Sequence, residues 1–352
     1  VIQGAAMIST LLVGFGFSAT TFHLPFLNYL PQFSVDVVIS SKPDAVKAVL
    51  PHAEVYGSWE EALKIHDVDL VVITTPNHLH GPQAKLALEH SCHVLVEKPF
   101  TLDSEEAEAL VELAHSQNKQ LCVYHNRRFD GDFLTIKQLI NDEKLGDIKR
   151  LESRFDRFRP VPRDRWRENA GPGSGIFWDL GPHLIDQALQ LFGEPEEVSA
   201  NIQALRENGQ SDDTFDVTLH YVDKVVKLGS SAFQASATLR YDLQGTKGSF
   251  RKFYLDPQED QLRAELSFDD EHWAITKDNE HGVLAVVNES GQLVEETVTT
   301  LKGEYLTFFN RLAHAIEDGK FSPADASTVV PVIKVIELAI KASAQKKSLA
   351  FN

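Results

Sequence analysis

Asp179 and His183 stand four residues apart, a spacing that puts both side chains on one face of a helix. An imidazole beside a carboxylate is an acid/base pair in which the carboxylate orients the ring. The structural alternative is that Asp179 caps the helix Pro182–Phe192 and His183 packs inside it. A second candidate is Glu97-Lys98-Pro99, which follows the apolar run Val94–Val96. A lysine at the C-terminal end of a parallel strand sits at the ligand edge of the sheet. The proline after it can hold a cis bond or tight turn and fix the lysine's direction. The alternative there is a surface lysine before a loop.

A third pattern is Gly14-Phe15-Gly16-Phe17-Ser18-Ala19, directly after the apolar run Ile8–Val13. This G-x-G-x-x-A turn suits a dinucleotide: Gly14 for the tight turn, Gly16 for close approach of the pyrophosphate, and a small residue for helix packing. Dinucleotide type is read at the end of the second strand. Asp36 lies near the start of that strand, far from the cofactor edge, whereas the far end reads Ser40-Ser41-Lys42. Two hydroxyls and a cation, with no acid, favour the 2′-phosphate of NADP, with NAD as the alternative. A bland reading makes Ser41 a helix cap and Lys42 a solvated lysine. Thr74-Thr75-Pro76-Asn77 and Tyr124-His125-Asn126-Arg127-Arg128 end two further strands at the same edge. His78 and His80 follow the first of these; with no cysteine or acid nearby in sequence, cofactor-loop contacts are expected there rather than a metal.

The elements that position these residues follow from apolar periodicity. Runs at Ile8–Val13, Val35–Ile39, Leu70–Ile73, Val94–Val96 and Leu121–Tyr124 alternate with helical stretches at Lys42–Leu50, Trp59–Ile65, Gly81–His90 and Ser104–Ser116. Such alternation implies a parallel sheet. Beyond residue 125 come a helix at Gly131–Leu145, an alternating stretch at Ile148–Phe158, a loop at Arg159–Gly175 and the helix Pro182–Phe192. Strand-like runs follow at Val198–Arg206, Thr214–Tyr221, Val225–Ser231, Ala237–Leu243 and Ser249–Leu255, then helices near Glu304–Asp318 and Ala324–Ala344. The expected architecture is α/β: a Rossmann domain over 1–125 and an α+β domain over 126–352 with an open-faced, mainly antiparallel sheet.

Taken together, these motifs resemble the glucose–fructose oxidoreductase/inositol dehydrogenase family along nearly the whole chain. The likeness rests on the glycine turn, Thr75-Pro76-Asn77, Glu97-Lys98-Pro99 and the Asp179…His183 helix. The stretch Tyr124–Ile140, Phe158-Arg159-Pro160, Asp164-Arg165-Trp166-Arg167 and His183-Leu184-Ile185-Asp186-Gln187 are similar to the bacterial NADP-dependent scyllo-inositol dehydrogenase branch. Ala19 replaces the family's usual third glycine, and Phe129 stands where that branch often has tryptophan. The resemblance implies that Lys98, Asp179 and His183 are catalytic. It places Asn77, His80 and Glu97 near the cofactor, where Thr75, Pro76, Lys98, Asn126 and Arg127 are expected beside Gly14, Phe15, Gly16, Ser40, Ser41 and Lys42. Tyr124, Arg163 and Trp166, with Asp179 and His183, are the substrate candidates, and the last helix, 324–344, is expected to return to the first domain.

The implied reaction is reversible hydride transfer between a nicotinamide and a cyclic polyol or sugar; an aldose or other sugar derivative is the alternative substrate. A lysine titrates near about 10.4 and a histidine near about 6.5, so His183 suits the general base and Lys98 the cation that stabilises an alkoxide. A non-catalytic dinucleotide-binding sensor is the reading from another class, disfavoured by this acid/base set.

Charge and composition bound the rest. The chain has 352 residues, 34 Lys plus Arg against 51 Asp plus Glu, and a net charge of −17. That field disfavours nucleic acid and membrane surfaces. Against it, residues 150–167 hold seven arginines: Arg150, Arg154, Arg157, Arg159, Arg163, Arg165 and Arg167. This stretch reads either as a solvated or subunit-facing strand or as cover for the cofactor and substrate. Cys92 and Cys122 are expected as buried, reduced thiols of a cytoplasmic protein. No signal peptide is evident, Met7 is a candidate start with residues 1–6 an upstream remnant, and an open sheet face invites a homodimer or tetramer.

Overall fold

The apolar runs of the first 125 residues pair as parallel strands. In the computed structural model, which describes residues 7–320 and 322–351, they are β1 (Ile8–Val13), β2 (Phe33–Ile39), β3 (Glu54–Tyr56), β4 (Leu70–Ile73), β5 (His93–Val96) and β6 (Leu121–Val123). Their spatial order is β3-β2-β1-β4-β5-β6, the doubly wound order that reverses at β1 and β4. β3 has three residues, only one of them aliphatic, so no apolar run announces it. The reading of residues 1–6 as a remnant lies outside the described residues.

Register aligns the motifs. Val13 lies opposite Ile39 and Ile73, Ile39 opposite Tyr56, and Val96 opposite Ile73 and Val123. The residues that follow each strand therefore emerge along one carboxyl edge: Gly14, Ser40, Thr74, Glu97 and Tyr124. Asp36 does not reach that edge. It is the extra residue of a bulge, because Thr10 faces Val35 and Leu11 faces Val37, and it is exposed, accepting the Ser34 hydroxyl at 2.5 Å.

Helices α1 (Leu24–Tyr29), α2 (Pro43–Val49), α3 (Trp59–Ile65), α4 (His80–Glu89) and α5 (Ser104–Ser116) alternate with these strands. The segment after the glycine turn opens as a wide π-turn over Ala19–His23, closed by the Leu24 amide on Ala19 O. Pro25 explains the widening, since it has no N–H to continue an ordinary ladder.

The contacts divide the chain into two units. One comprises the chain up to His125, Leu262–Leu266 and Tyr305–Val330; the other comprises Asn126–Gln261, Ser267–Glu304 and Pro331–Asn352. In the first, α1 meets a late helix, Tyr305–Asp318: Phe26 stacks on Phe309 at 4.8 Å, and Tyr124 packs edge-on against Phe308 at 5.1 Å.

The second unit is built on a nine-stranded sheet. Its strands are β7 (Ile148–Arg154), β8 (Glu197–Gln203), β9 (Thr214–His220), β10 (Val225–Ser231), β11 (Leu239–Gly245), β12 (Gly248–Phe253), β13 (Gly282–Val287), β14 (Leu293–Val298) and β15 (Leu349–Ala350). They lie in the order β14-β13-β12-β11-β7-β10-β9-β8-β15, and only β7 and β10 run parallel. β14 escapes a periodicity search because its first five residues are all exposed, so no core imposes an alternation on it.

The helix α6 (Gly131–Asn141) precedes β7, and α7 (Ile176–Phe192) precedes β8. α7 starts six residues before the expected Pro182, which lies inside it. The cause is distant in sequence. Ile176 N donates to Asp212 O at 2.9 Å and Phe177 N to Asp212 Oδ2 at 2.6 Å, so Asp212 caps the helix from the far side of β8. Gly175 makes room for this cap: its φ is +95°, and a Cβ there would lie 2.0 Å from Asp212 Oδ1. The last helix, Val330–Gln345, by contrast starts later than expected, after a short turn at Ala326–Thr328 in which the Ser327 amide donates to Asp325 Oδ1.

Candidate active site

Around the glycine turn of the first unit, backbone geometry demands the residue types present. Gly14 has φ +89°, and a Cβ there would fall 3.0 Å from Thr74 Oγ1. The Thr74 hydroxyl in turn donates to Val13 O at 3.0 Å, locking the β1 and β4 ends together. Gly16 is exposed, and a Cβ built on it would meet nothing within 4 Å. Open space above an exposed glycine backbone at a strand-to-helix turn is what a pyrophosphate requires, so the residues present fit a dinucleotide. Phe15 is half-buried and Ala19 fully buried.

At the end of β2 the cap reading for Ser41 does not hold. The residue before α2 is Lys42, without a side-chain cap bond, and Pro43 opens the helix. Lys42 N donates to Ser40 Oγ at 3.0 Å, and Ser41 and Lys42 are exposed.

Glu97 is the polar centre of this edge. It is 8 % exposed, and its carboxylate accepts the Ser18 hydroxyl, His23 Nε2 at 2.9 Å and the Lys98 amide at 3.1 Å. Burial pushes its pKa up, but the His23 hydrogen bond, the charges of His23 and Lys98 and the Ser18 hydrogen bond outweigh burial and hold it at about 2. Neither Ser18 nor His23 is a sequence candidate, although both lie on the helical segment after the glycine turn. His23 is fully buried beside the Tyr124 ring, 4.3 Å between centroids. Tyr124, a substrate candidate, is 2 % exposed and its hydroxyl donates to Phe22 O at 2.8 Å, which places it in the packing of this segment.

His80 joins two of the edge loops. Its Nδ1 lies 2.7 Å from Pro99 O and its Nε2 2.9 Å from Thr75 O. Burial lowers its pKa, against the two carbonyls, which favour the protonated ring. The ring thus links Thr75-Pro76-Asn77 to Glu97-Lys98-Pro99, whose Lys98–Pro99 bond is cis. Thr75 also donates to Gln83 Oε1 at 2.6 Å; Asn77 is buried, Pro76 exposed and Lys98 half-buried.

In the second unit, α7 carries Asp179 and His183 one turn apart. His183 is 6 % exposed. Asp212 caps α7 from outside the helix, and the Asp179 carboxylate in its first turn faces Arg157, with Nη1 at 3.8 Å. Asn126 and Arg127 are buried at the start of this unit. Arg127 pairs with Glu259 and, at 3.4 Å, with Asp130, and lies over the Phe155 ring. Arg128 grips Asp186 of α7 with Nε at 2.9 Å and Nη2 at 2.6 Å. Arg163 and Trp166 are exposed on the loop before α7. Among the described residues no group of three or more His, Cys, Asp or Glu is disposed to hold a metal ion, and no helix is long and apolar enough to cross a membrane.

Chemically, the first unit offers a phosphate-accepting turn and a lysine fixed beside it. The second offers a histidine–carboxylate pair on a buried helix face. Both units have counterparts among known proteins. Residues 8–125 match the model described as "Oxidoreductase family, NAD-binding Rossmann fold", and residues 137–351 match "Oxidoreductase family, C-terminal alpha/beta domain". The chain is 40% identical to the uncharacterized oxidoreductase YdgJ of Escherichia coli K12, covering 96% of this chain and 97% of that one. It is 36% identical to the scyllo-inositol 2-dehydrogenase (NADP(+)) IolW of Bacillus subtilis, covering 99% and 98%. The solved structure of the yvaA protein of Bacillus subtilis superposes with a TM-score of 0.95 at 36% identity, over 99% of this chain and all of that one. Sequence and fold thus agree across both halves, and the chain belongs to the GFO/IDH/MocA oxidoreductase family as an NAD(P)-dependent dehydrogenase.

Proposed function

We propose that the protein transfers hydride reversibly between NADP(H) and a secondary alcohol of a polyol or sugar. The observation that carries this reading is the placement of Asp179 and His183 one turn apart on α7, with His183 buried at 6 % exposure. A bound nicotinamide supplies the hydride acceptor. His183 takes the hydroxyl proton as the alcohol is oxidised, Asp179 orients the imidazole, and the Lys98 ammonium stabilises the negative oxygen. Glu97 and His80 hold the Lys98 loop. The IolW relative, a dehydrogenase of a cyclic polyol, supports the substrate class.

The test is a panel of inositols, aldoses and other sugar derivatives, each with NADP and with NAD, read by reduced-nicotinamide absorbance. Turnover of at least one polyol or sugar, faster with NADP, is the expected result. No turnover with any member would point instead to a dinucleotide-binding sensor.

Preference for NADP rests on exposed Ser41 and Lys42 and on the absence of an acid at the end of β2. Lys42→Glu is expected to raise KM for NADP about tenfold or more, through loss of one charge-assisted contact and gain of a repulsive one, and to leave NAD little changed. An unchanged KM ratio between the cofactors would remove Lys42 from the phosphate site.

Cys92 and Cys122 are buried and outside any disulfide among the described residues, in keeping with a reducing compartment such as the cytoplasm. The outer strands β13 and β14 expose Val283, Val287, Leu293 and Val294, which favours a homo-oligomer, testable by light scattering of the purified protein.

A further inference from the structure

The diphosphate bridge of a dinucleotide brings negative charge to a protein whose own net charge is −17. The turn that would receive it has no cation nearby in sequence. No lysine or arginine occurs before Lys42, so Gly14–Ala19 and the helical segment behind it carry no permanent positive charge. Lys42 and Lys98 stand at the ends of other strands. In the arginine-rich stretch, Arg150, Arg154 and Arg165 answer Glu152, Asp156 and Glu168 of their own unit.

One arginine does reach the turn. Leu262–Leu266 pack with the first unit, although the chain on either side of them belongs to the second. Leu262 is buried and anchors this segment. Arg263, the last residue of the short helix Gln258–Arg263, is exposed. Its guanidinium carbon lies over the Phe17 ring, 4.8 Å from the centroid. Phe17 directly follows Gly16 and is 50 % exposed, so burial does not account for an aromatic residue there. The ring is nonetheless braced. It packs edge-on against Phe22 at 5.5 Å, and Phe22 O accepts the Tyr124 hydroxyl at 2.8 Å. An aromatic face fixed to the turn thus carries a guanidinium one residue away from the exposed backbone of Gly16.

Arginine suits this position. Attraction to the ring face restrains a long, flexible side chain, and the planar fork of donors can bind phosphate oxygens in pairs. We propose that Arg263 is a dinucleotide-binding residue: held over Phe17, it pairs with the diphosphate bridge at the Gly14–Gly16 turn. The proposal rests on the dinucleotide reading of that turn, and adds to it a residue distant in sequence. The diphosphate bridge is common to NAD and NADP, so Arg263 serves both alike. Lys42, at the end of β2, is instead the residue for the 2′-phosphate that only NADP carries.

The test is equilibrium binding of NADP and of NAD to the full chain, without substrate, by titration calorimetry. Arg263→Gln is expected to weaken both dinucleotides by the same factor, about tenfold, and to make their binding less sensitive to salt. Arg263→Lys should keep part of the affinity. Phe17→Leu should weaken binding in the native background and add little to Arg263→Gln, because the ring acts through the guanidinium. Thermal unfolding of the unliganded variants shows that they are folded. Affinity unchanged in Arg263→Gln, with or without a lower unfolding temperature, overturns the proposal and leaves Arg263 a structural tie. A loss confined to NADP, or a Phe17→Leu loss of equal size in both backgrounds, overturns it too. If the native chain binds neither dinucleotide, the reading of the glycine turn fails and the proposal with it; if the native chain binds and Arg263→Gln binds as tightly, only the proposal fails.

Discussion

Replacing His183 with Asn is expected to lower kcat for the true substrate by about 10²–10⁴-fold while the KM for the cofactor stays unchanged. The proton of the alcohol must leave as the hydride does, and His183 is the group on α7 suited to take it near neutral pH. Its ring is 6 % exposed on a buried helix face, so bulk water is a poor substitute. The base must be neutral to accept a proton, so activity of the native enzyme falls on the acid side of its profile; His183→Asn loses that limb. Lys98→Met should lower kcat by about 10²–10³-fold through loss of one cation at the developing alkoxide, and keep the acid limb. That difference separates base from electrostatic stabiliser, which a simple loss of activity would not. A near-normal kcat for His183→Asn from about pH 6 to pH 9 would give the proton to another group.

How far the sequence reached differs between the two units. In the first, every strand but β3 shows as an apolar run, because buried parallel strands must be apolar along their length. That was enough to line up Gly14, Ser40, Thr74, Glu97 and Tyr124 at one edge. What joins them was hidden. His23 bonds Glu97 across 74 residues, and Ser18 bonds it across 79. Ser18 lies inside the glycine motif, whose turn geometry assigns roles to the two glycines and the small residue Ala19 but none to it. In the second unit the start of α7 has no local signal because its cap, Asp212, comes from 35 residues away. The buried Arg240, which bonds Asp132, Ser153 and Gln187, likewise has no local signature. Periodicity reports burial along one element; it does not report which distant polar group satisfies an element's end or a buried charge.

Glu97→Gln is expected to destabilise the protein at neutral pH and to have little effect in acid. Glu97 sits where three donors converge, and His23 Nδ1 is buried with no hydrogen-bond partner among the described residues, so the ring's polar bonding to Glu97 runs through Nε2. An amide in place of the carboxylate turns an NH₂ toward one of those donors. The native carboxyl is held at about 2 in the folded protein, against about 4.3 in an unfolded chain. A depressed pKa stabilises the fold above the unfolded value, and that stability is lost as pH falls through the folded one, so the window runs from about pH 4 down to pH 2. The shift corresponds to about 3 kcal/mol, an order-of-magnitude figure for a buried group. Thermal unfolding at pH 7 should therefore show Glu97→Gln lower than the native protein by about 5 °C or more. The gap should close as both proteins are acidified toward pH 2. His23→Ala removes the partner and leaves the buried carboxylate, so its loss at pH 7 should be as large or larger, roughly 3–5 kcal/mol. In the double variant the losses should fall well short of the sum, since both substitutions break one interaction. Equal unfolding temperatures for native and Glu97→Gln protein at pH 7, or a gap that does not shrink in acid, would mean that Glu97 does not anchor the glycine-turn helix to the Lys98 loop.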